Sequence, residues 1–205
     1  MKRRMIGFLI ALGAIWIFHP ESLEHPFAAT LHYEHPKLQR REVHLPIQDF
    51  SLTDQRNQVF RFGNLRGKIV LVAFAYTTCP DVCPLMTAAM LTVQRELSPV
   101  ERDKVHLLTV TTDPEVDSPA VLAAYARRYG ADVSNWSFLT GNEPSLARVW
   151  KNFGVGVKRI ARGLVDHTPL TAVIDRNGVM RFGYYGTAPD SNMVLRDMRS
   201  LLSPQ

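Results

Sequence analysis

From about residue 49 onward, apolar and polar positions fall into short regular patterns. Phe50 and Leu52 alternate with polar neighbours, Asp54–Asn57 supplies turn chemistry, and Val59–Phe62 resumes, which predicts a hairpin. Ile69–Tyr76 is an unbroken apolar run rich in β-branched residues, the pattern of a strand buried on both faces. Met86, Met90, Val93 and Leu97 have helical spacing, which predicts a helix over Met86–Leu97 and assigns both methionines to the core. Val105–Val110 reads as a second buried strand. Ser118-Pro119 opens a helix reaching Tyr129, with the serine as N-cap and the proline at the first helical position. Trp136–Leu139 is a third strand, and Glu143–Phe153 a helix with Leu146, Val149 and Trp150 on one face. Leu170–Ile174 is a fourth strand. Asp175-Arg176-Asn177-Gly178 is a strong turn from which Met180–Tyr185 returns antiparallel, and Asp190–Leu202 is a closing helix. Strands alternating with helices predict an α/β fold, a mixed central sheet flanked by helices, with an N-terminal β-hairpin. Function in such sheets lies beyond the carboxyl ends of the strands. That selects three loops: Thr77–Pro84, Thr111–Ser118 and the approach to Leu170.

The N-terminus follows different rules. Lys2, Arg3 and Arg4 precede Met5–Phe18, fourteen uncharged and almost wholly apolar residues. A charged head before an apolar run marks export, with the body of the protein carried outside the cytoplasmic membrane, on the periplasmic side. The expectation for residues 1–20 is a signal or anchor segment, left uncleaved as a membrane anchor because Phe27 spoils the cleavage pattern before Ala29. Residues 21–45, with repeated His-Pro pairs, read as an extended tether, and 46–205 as the domain. Within the whole chain, 46% hydrophobic and 21% charged residues are globular values. The net charge of +5 shrinks to +2, 21 basic against 19 acidic residues, once Lys2, Arg3 and Arg4 are set aside. A balance that small is no footprint for a phosphate backbone, so nucleic acid is excluded as a partner.

The chain has two cysteines, four positions apart, in Thr77-Thr78-Cys79-Pro80-Asp81-Val82-Cys83-Pro84. Pro80 holds Cys79 extended, and Pro84 cannot lie deep in a helix, so a helix starts near Asp81–Cys83 with Cys83 in its first turn. Unpaired N–H groups and the positive dipole end there favour thiolate over thiol. Such a pair can hold a soft metal or shuttle between dithiol and disulfide. A metal held by two sulfurs is open to a third ligand, and His167, in Val165-Asp166-His167-Thr168-Pro169, is the candidate because it precedes a buried strand where loops meet. Asp113, in the loop after the second buried strand, is a further candidate for a supporting role; the following Asp117-Ser118-Pro119 reads as a helix start.

Together, Tyr76-Thr77-Thr78-Cys79-Pro80-Asp81-Val82-Cys83-Pro84, Thr111-Thr112-Asp113-Pro114-Glu115-Val116-Asp117-Ser118-Pro119 and Asp166-His167 resemble the Sco/SenC family over about Leu45–Leu202. The resemblance implies a thioredoxin-like fold. It implies a membrane-tethered metallochaperone, not an enzyme, that delivers copper to the CuA site of cytochrome c oxidase during its assembly. It carries the metal ligands over to Cys79, Cys83 and His167, for both Cu(I) and Cu(II), and a supporting role in redox and copper handling to Asp113, which could also add an oxygen ligand to Cu(II). The implied partners are the copper-accepting oxidase subunit and an upstream copper donor or thiol reductant. The chain departs from the family at Pro169, where an aliphatic or small residue is common. Proline there is the habit of thioredoxin-type oxidoreductases, often with a cis bond beside the cysteine loop. It predicts a cis Thr168–Pro169 bond, and it keeps open a thiol–disulfide oxidoreductase, with Cys79 and Cys83 as the redox pair, that keeps a recipient's copper-binding cysteines reduced.

Overall fold

A computed structural model describes residues 38–186 and 189–202. The proposed signal or anchor and most of the tether lie outside the described residues. The elements in chain order are β1 (Gln39–Pro46), β2 (Ser51–Asp54), β3 (Val59–Arg61), β4 (Ile69–Ala75), α1 (Val82–Glu96), α2 (Pro99–Lys104), β5 (Val105–Thr111) and α3 (Pro119–Tyr129). They continue with β6 (Trp136–Thr140), α4 (Glu143–Asn152), β7 (Val157–Ala161), β8 (Leu164–His167), β9 (Leu170–Ile174), β10 (Val179–Tyr185) and α5 (Ser191–Leu202). Eight strands form one mixed sheet in the order β1-β10-β9-β4-β5-β6-β2-β3, and β7 and β8 form a separate two-stranded sheet. The thioredoxin-like α/β architecture is the one expected.

β4 and β9 are buried along their whole length, and β5 along all but His106, which is why they read as unbroken apolar runs. Alternate residues of β4 serve two cores. Ile69, Leu71 and Ala73 pack with Met86 and Met90 of α1, Leu122 and Tyr125 of α3, and Val194 and Met198 of α5. Val70, Val72 and Phe74 pack with Leu146, Val149 and Trp150 of α4 and with Phe62 and Phe153. The assignment of Met86 and Met90 to the core therefore holds. Local signals hold too. Ser118 accepts the Val121 N–H at the start of α3, and Gly130 ends that helix in the left-handed region at φ 67°. The β2–β3 turn is stabilised by Asp54, whose Oδ1 accepts the N–H groups of Arg56 and Gln58.

The ordered fold begins earlier than expected. Gln39–Leu45, assigned to the tether, belong to β1, which pairs antiparallel with β10 at the sheet edge. Its side chains are nearly all exposed, so it lacks the apolar alternation that marks a strand. Tertiary contacts replace it: Arg40 lies 4.7 Å over Phe182, Arg41 lies 5.3 Å over Tyr185, and Arg40 pairs with Asp197 at 2.7 Å. The β7–β8 hairpin and short α2 were also not anticipated. The hairpin buries little beyond Val165 and so carries no readable period.

Candidate metal centre

The strand before and the helix after place each sulfur. The chain leaves buried β4 through Tyr76 and turns, with the Cys79 N–H donating to the Tyr76 carbonyl at 3.4 Å. α1 starts at Val82, so Cys83 lies in its first turn and Pro84 takes a position whose N–H has no intrahelical acceptor. Both cysteines are free; Cys79 is half-buried and Cys83 fully buried, packed with Ala75, Tyr76 and Val165.

The Cys83 thiol donates to the Cys79 sulfur, and this bond is the main reason that Cys79 is held well below the usual thiol range. The N–H groups of Cys83 and Asp81 and the Tyr76 hydroxyl reinforce it, against the opposing effect of burial. Cys83 is pushed up, first by the same bond and then by burial. The opposed shifts favour the thiolate at the half-buried Cys79 and the thiol at the buried Cys83.

His167 closes β8 and brings its Nε2 to 3.7 Å from Cys83 Sγ. Its Nδ1 lies 3.1 Å from the Thr168 carbonyl. An Nδ1–H donating to that carbonyl turns the Nε2 lone pair towards the sulfur. Burial lowers the pKa of the ring, which favours the neutral imidazole, the form that binds metals. Tyr76 stands edge-on to it, with ring centroids 5.8 Å apart. Cys83 thus neighbours both Cys79 and His167, and the charge of Cys79 also acts on the His167 ring. Among the described residues, no three His, Cys, Asp or Glu side chains are gathered tightly enough to hold an ion as they stand. The donor set itself, two sulfurs and an imidazole nitrogen, suits a soft or borderline transition metal.

Asp113 is fully buried. Oδ1 accepts from Arg159 at 3.1 Å and Oδ2 from the Gly163 N–H at 3.1 Å. Arg159 reaches Glu115 as well. Both oxygens are engaged by the β7–β8 hairpin, whose last residue is His167. Asp113 thus holds the hairpin that carries His167.

The expected cis Thr168–Pro169 bond is not present: no peptide bond among the described residues is cis. Both sides of the link are held along an extended path into β9. Thr168 exchanges bonds with Gly156 through its N–H (2.9 Å) and its hydroxyl (3.1 Å), and the Pro169 carbonyl accepts from Gly186 at 3.0 Å. Three residues of the site escaped sequence reasoning: Tyr76, Arg159 and Asp117. Asp117 was legible only as part of a helix start, yet its carboxylate is fully buried and faces the cysteine loop.

Comparison with known proteins places these features in context. The sequence profile of the SCO1/SenC family matches residues 39–203. An SCO2-like protein of Rickettsia felis is 29% identical over 200 residues, covering 92% of this chain and 91% of its own. Among solved structures, BsSco, a member of the Sco family of cytochrome c oxidase assembly proteins in which a disulfide switch was identified, matches with a TM-score of 0.68 and 27% identity. The match covers 78% of this chain and 95% of BsSco. ScoI of Bradyrhizobium japonicum with copper bound matches with a TM-score of 0.62 and 26% identity, over 76% of this chain and 99% of ScoI.

Proposed function

The chain belongs to the SCO1/SenC family, and from that premise we propose that it is a copper metallochaperone that delivers the ion to the CuA site of cytochrome c oxidase. Copper is the cargo, and Cys79, Cys83 and His167 would hold it. The observation that carries the reading is the juxtaposition of Cys83 Sγ and the His167 Nε2 at 3.7 Å, with Cys79 hydrogen-bonded to the same Cys83. Two sulfurs satisfy Cu(I), and the imidazole adds the nitrogen that Cu(II) prefers. Copper on ScoI and the oxidase-assembly role of the BsSco family lend support. Asp113 would aid by holding the hairpin that carries His167.

The reading predicts one copper per chain for the reduced protein and none at this site once Cys79 and Cys83 are oxidised, because a disulfide offers no thiolate. Metal and thiols counted in the same titration check it. The His-rich segment before residue 45 would contribute equally in both states, so the difference reports the site. Equal loading of the two forms would refute it.

A second reading, a thiol–disulfide oxidoreductase serving the recipient's cysteines, is supported by the asymmetry of the pair. A half-exposed thiolate can attack a partner disulfide and a buried thiol can resolve the mixed disulfide. Pro169 favours it, and the trans Thr168–Pro169 bond weakens that support.

We also propose that the domain works outside the cytoplasmic membrane, tethered by Met5–Phe18. No helix among the described residues is long and apolar enough to cross a membrane, and the apolar run lies outside them. C-terminal fusions to a reporter that works only after export should be active. Activity confined to a cytoplasmic reporter would reject the placement.

A further inference from the structure

We propose that Asp117 is a positioning residue for the Cys79–Cys83 pair, acting through Thr77. The inference deepens the reading above and rests on its premise that the two cysteines work as a pair. Asp117 has 0% exposure. Its Oδ1 accepts from the Thr77 hydroxyl at 2.5 Å, and its Oδ2 from the Thr77 N–H at 3.2 Å and the Thr111 hydroxyl at 2.5 Å. Among the described residues, no Arg, Lys or His forms an ion pair with it, whereas its neighbour Asp113 has Arg159.

A buried carboxylate without a cation is costly, and its hydrogen bonds must hold it. Those bonds are not needed to cap α3, because Ser118 already accepts the Val121 N–H. They join the exit of β4, at Thr77, to the exit of β5, at Thr111. Thr77 lies two residues before Cys79. Thr78, between them, donates to the Gly163 carbonyl at 3.0 Å, so the chain is fixed on both counts just ahead of the first sulfur. Cys83 is held separately by α1, where the Thr87 hydroxyl donates to the Cys83 carbonyl at 2.9 Å. The distance between the sulfurs therefore depends on the loop, and Asp117 clamps the loop's start.

Disulfide formation is the reaction that senses this distance, because it tolerates only a narrow range of geometry. When glutathione disulfide is the oxidant, the Cys79 thiolate and the Cys83 thiol together lose two electrons and one proton as their S–S bond forms. The S–S bond of glutathione disulfide breaks and takes up the two electrons, and with that proton and one from solvent it leaves two glutathione thiols. Loosening the loop lowers the concentration that each thiol presents to the other, so the dithiol is favoured.

The test is equilibration of the full chain in glutathione redox buffers, with free thiols counted. Asp117→Asn should lower the equilibrium constant for disulfide formation about 10-fold, a shift of about 30 mV towards positive potential. Thr77→Val, which keeps the N–H bond and loses the hydroxyl, should move it about threefold the same way, or roughly 15 mV, and Thr77→Ser should restore the wild-type value. Ser118→Ala removes the α3 cap and should lower thermal stability without moving the potential. The proposal is overturned if Asp117→Asn and Thr77→Val leave the constant unchanged, or if Ser118→Ala shifts it as much. Should Asp117→Asn fail to fold, Thr77→Val and Thr77→Ser decide. A wild-type chain that forms no disulfide in any buffer would reject the pair itself, and this role with it.

Discussion

Alanine at Cys79 or at Cys83 is expected to abolish copper binding in both oxidation states. Cu(I) is held chiefly by soft thiolate sulfur, and one remaining sulfur with one imidazole gives it a far poorer pair. The loss should exceed the roughly 10–100-fold that substitutions outside the ligand shell cost. The two variants should differ in what else they change. Cys83 packs with Ala75, Tyr76 and Val165 and lies against His167, so Cys83→Ala opens a small void beside the histidine. Cys79 is half-buried, and its loss should leave stability nearly unchanged. Competition against a Cu(I) chelator, with thermal melts of both variants, measures all of this. Wild-type Cu(I) stoichiometry in either variant would rule that sulfur out.

His167→Ala should separate the two oxidation states, weakening Cu(II) much more than Cu(I). Cu(I) accepts two sulfurs alone, whereas Cu(II) prefers four ligands with nitrogen among them. The burial that lowers the His167 pKa also sets the pH dependence: the ring stays neutral, and able to bind, below the usual histidine range. Cu(II) binding by the wild type should therefore persist into mildly acidic solution, and the variant should lose that imidazole contribution at every pH. A Cu(II) absorption titration at two pH values, beside the Cu(I) competition, tests both parts. Identical curves for variant and wild type would remove His167 from the ligand set.

How much of this was legible depended on where each signal is stored. β4 and β9 announced themselves because burial on both faces demands unbroken apolar sequence. Cys79 and Cys83 were legible because proline on either side fixes a local backbone. His167 was placed from its position before β9, but the hairpin that presents it was invisible, since β7 and β8 are mostly exposed and carry no period. Edge strand β1 is stabilised by arginines stacked on Phe182 and Tyr185, partners some 140 residues away that no local window contains. Asp117 shows a finer limit: Asp-Ser-Pro correctly signalled a helix start, but Ser118 took the capping and the aspartate turned inwards. The cis bond at Pro169 was inferred by analogy of fold, and the hydrogen bonds of Thr168 and Pro169 to Gly156 and Gly186 prevailed over the analogy.

The hairpin β7–β8 pairs only with itself, while both cysteines ride on the strand and helix of the main sheet. On the proposed reading, the three donors sit on two bodies, which bears on how an ion leaves. A rigid three-donor cage would have to break every bond in concert, and the departing ion would cross water unescorted. With nitrogen on its own arm, the exit becomes a queue: the imidazole swings off, an incoming donor from the recipient fills the place, and the sulfurs yield afterwards one at a time. The residence time of copper would then follow the opening frequency of the arm, which the grip of Asp113 on Arg159 and Gly163 sets, and a tightly held ion could still be handed on quickly.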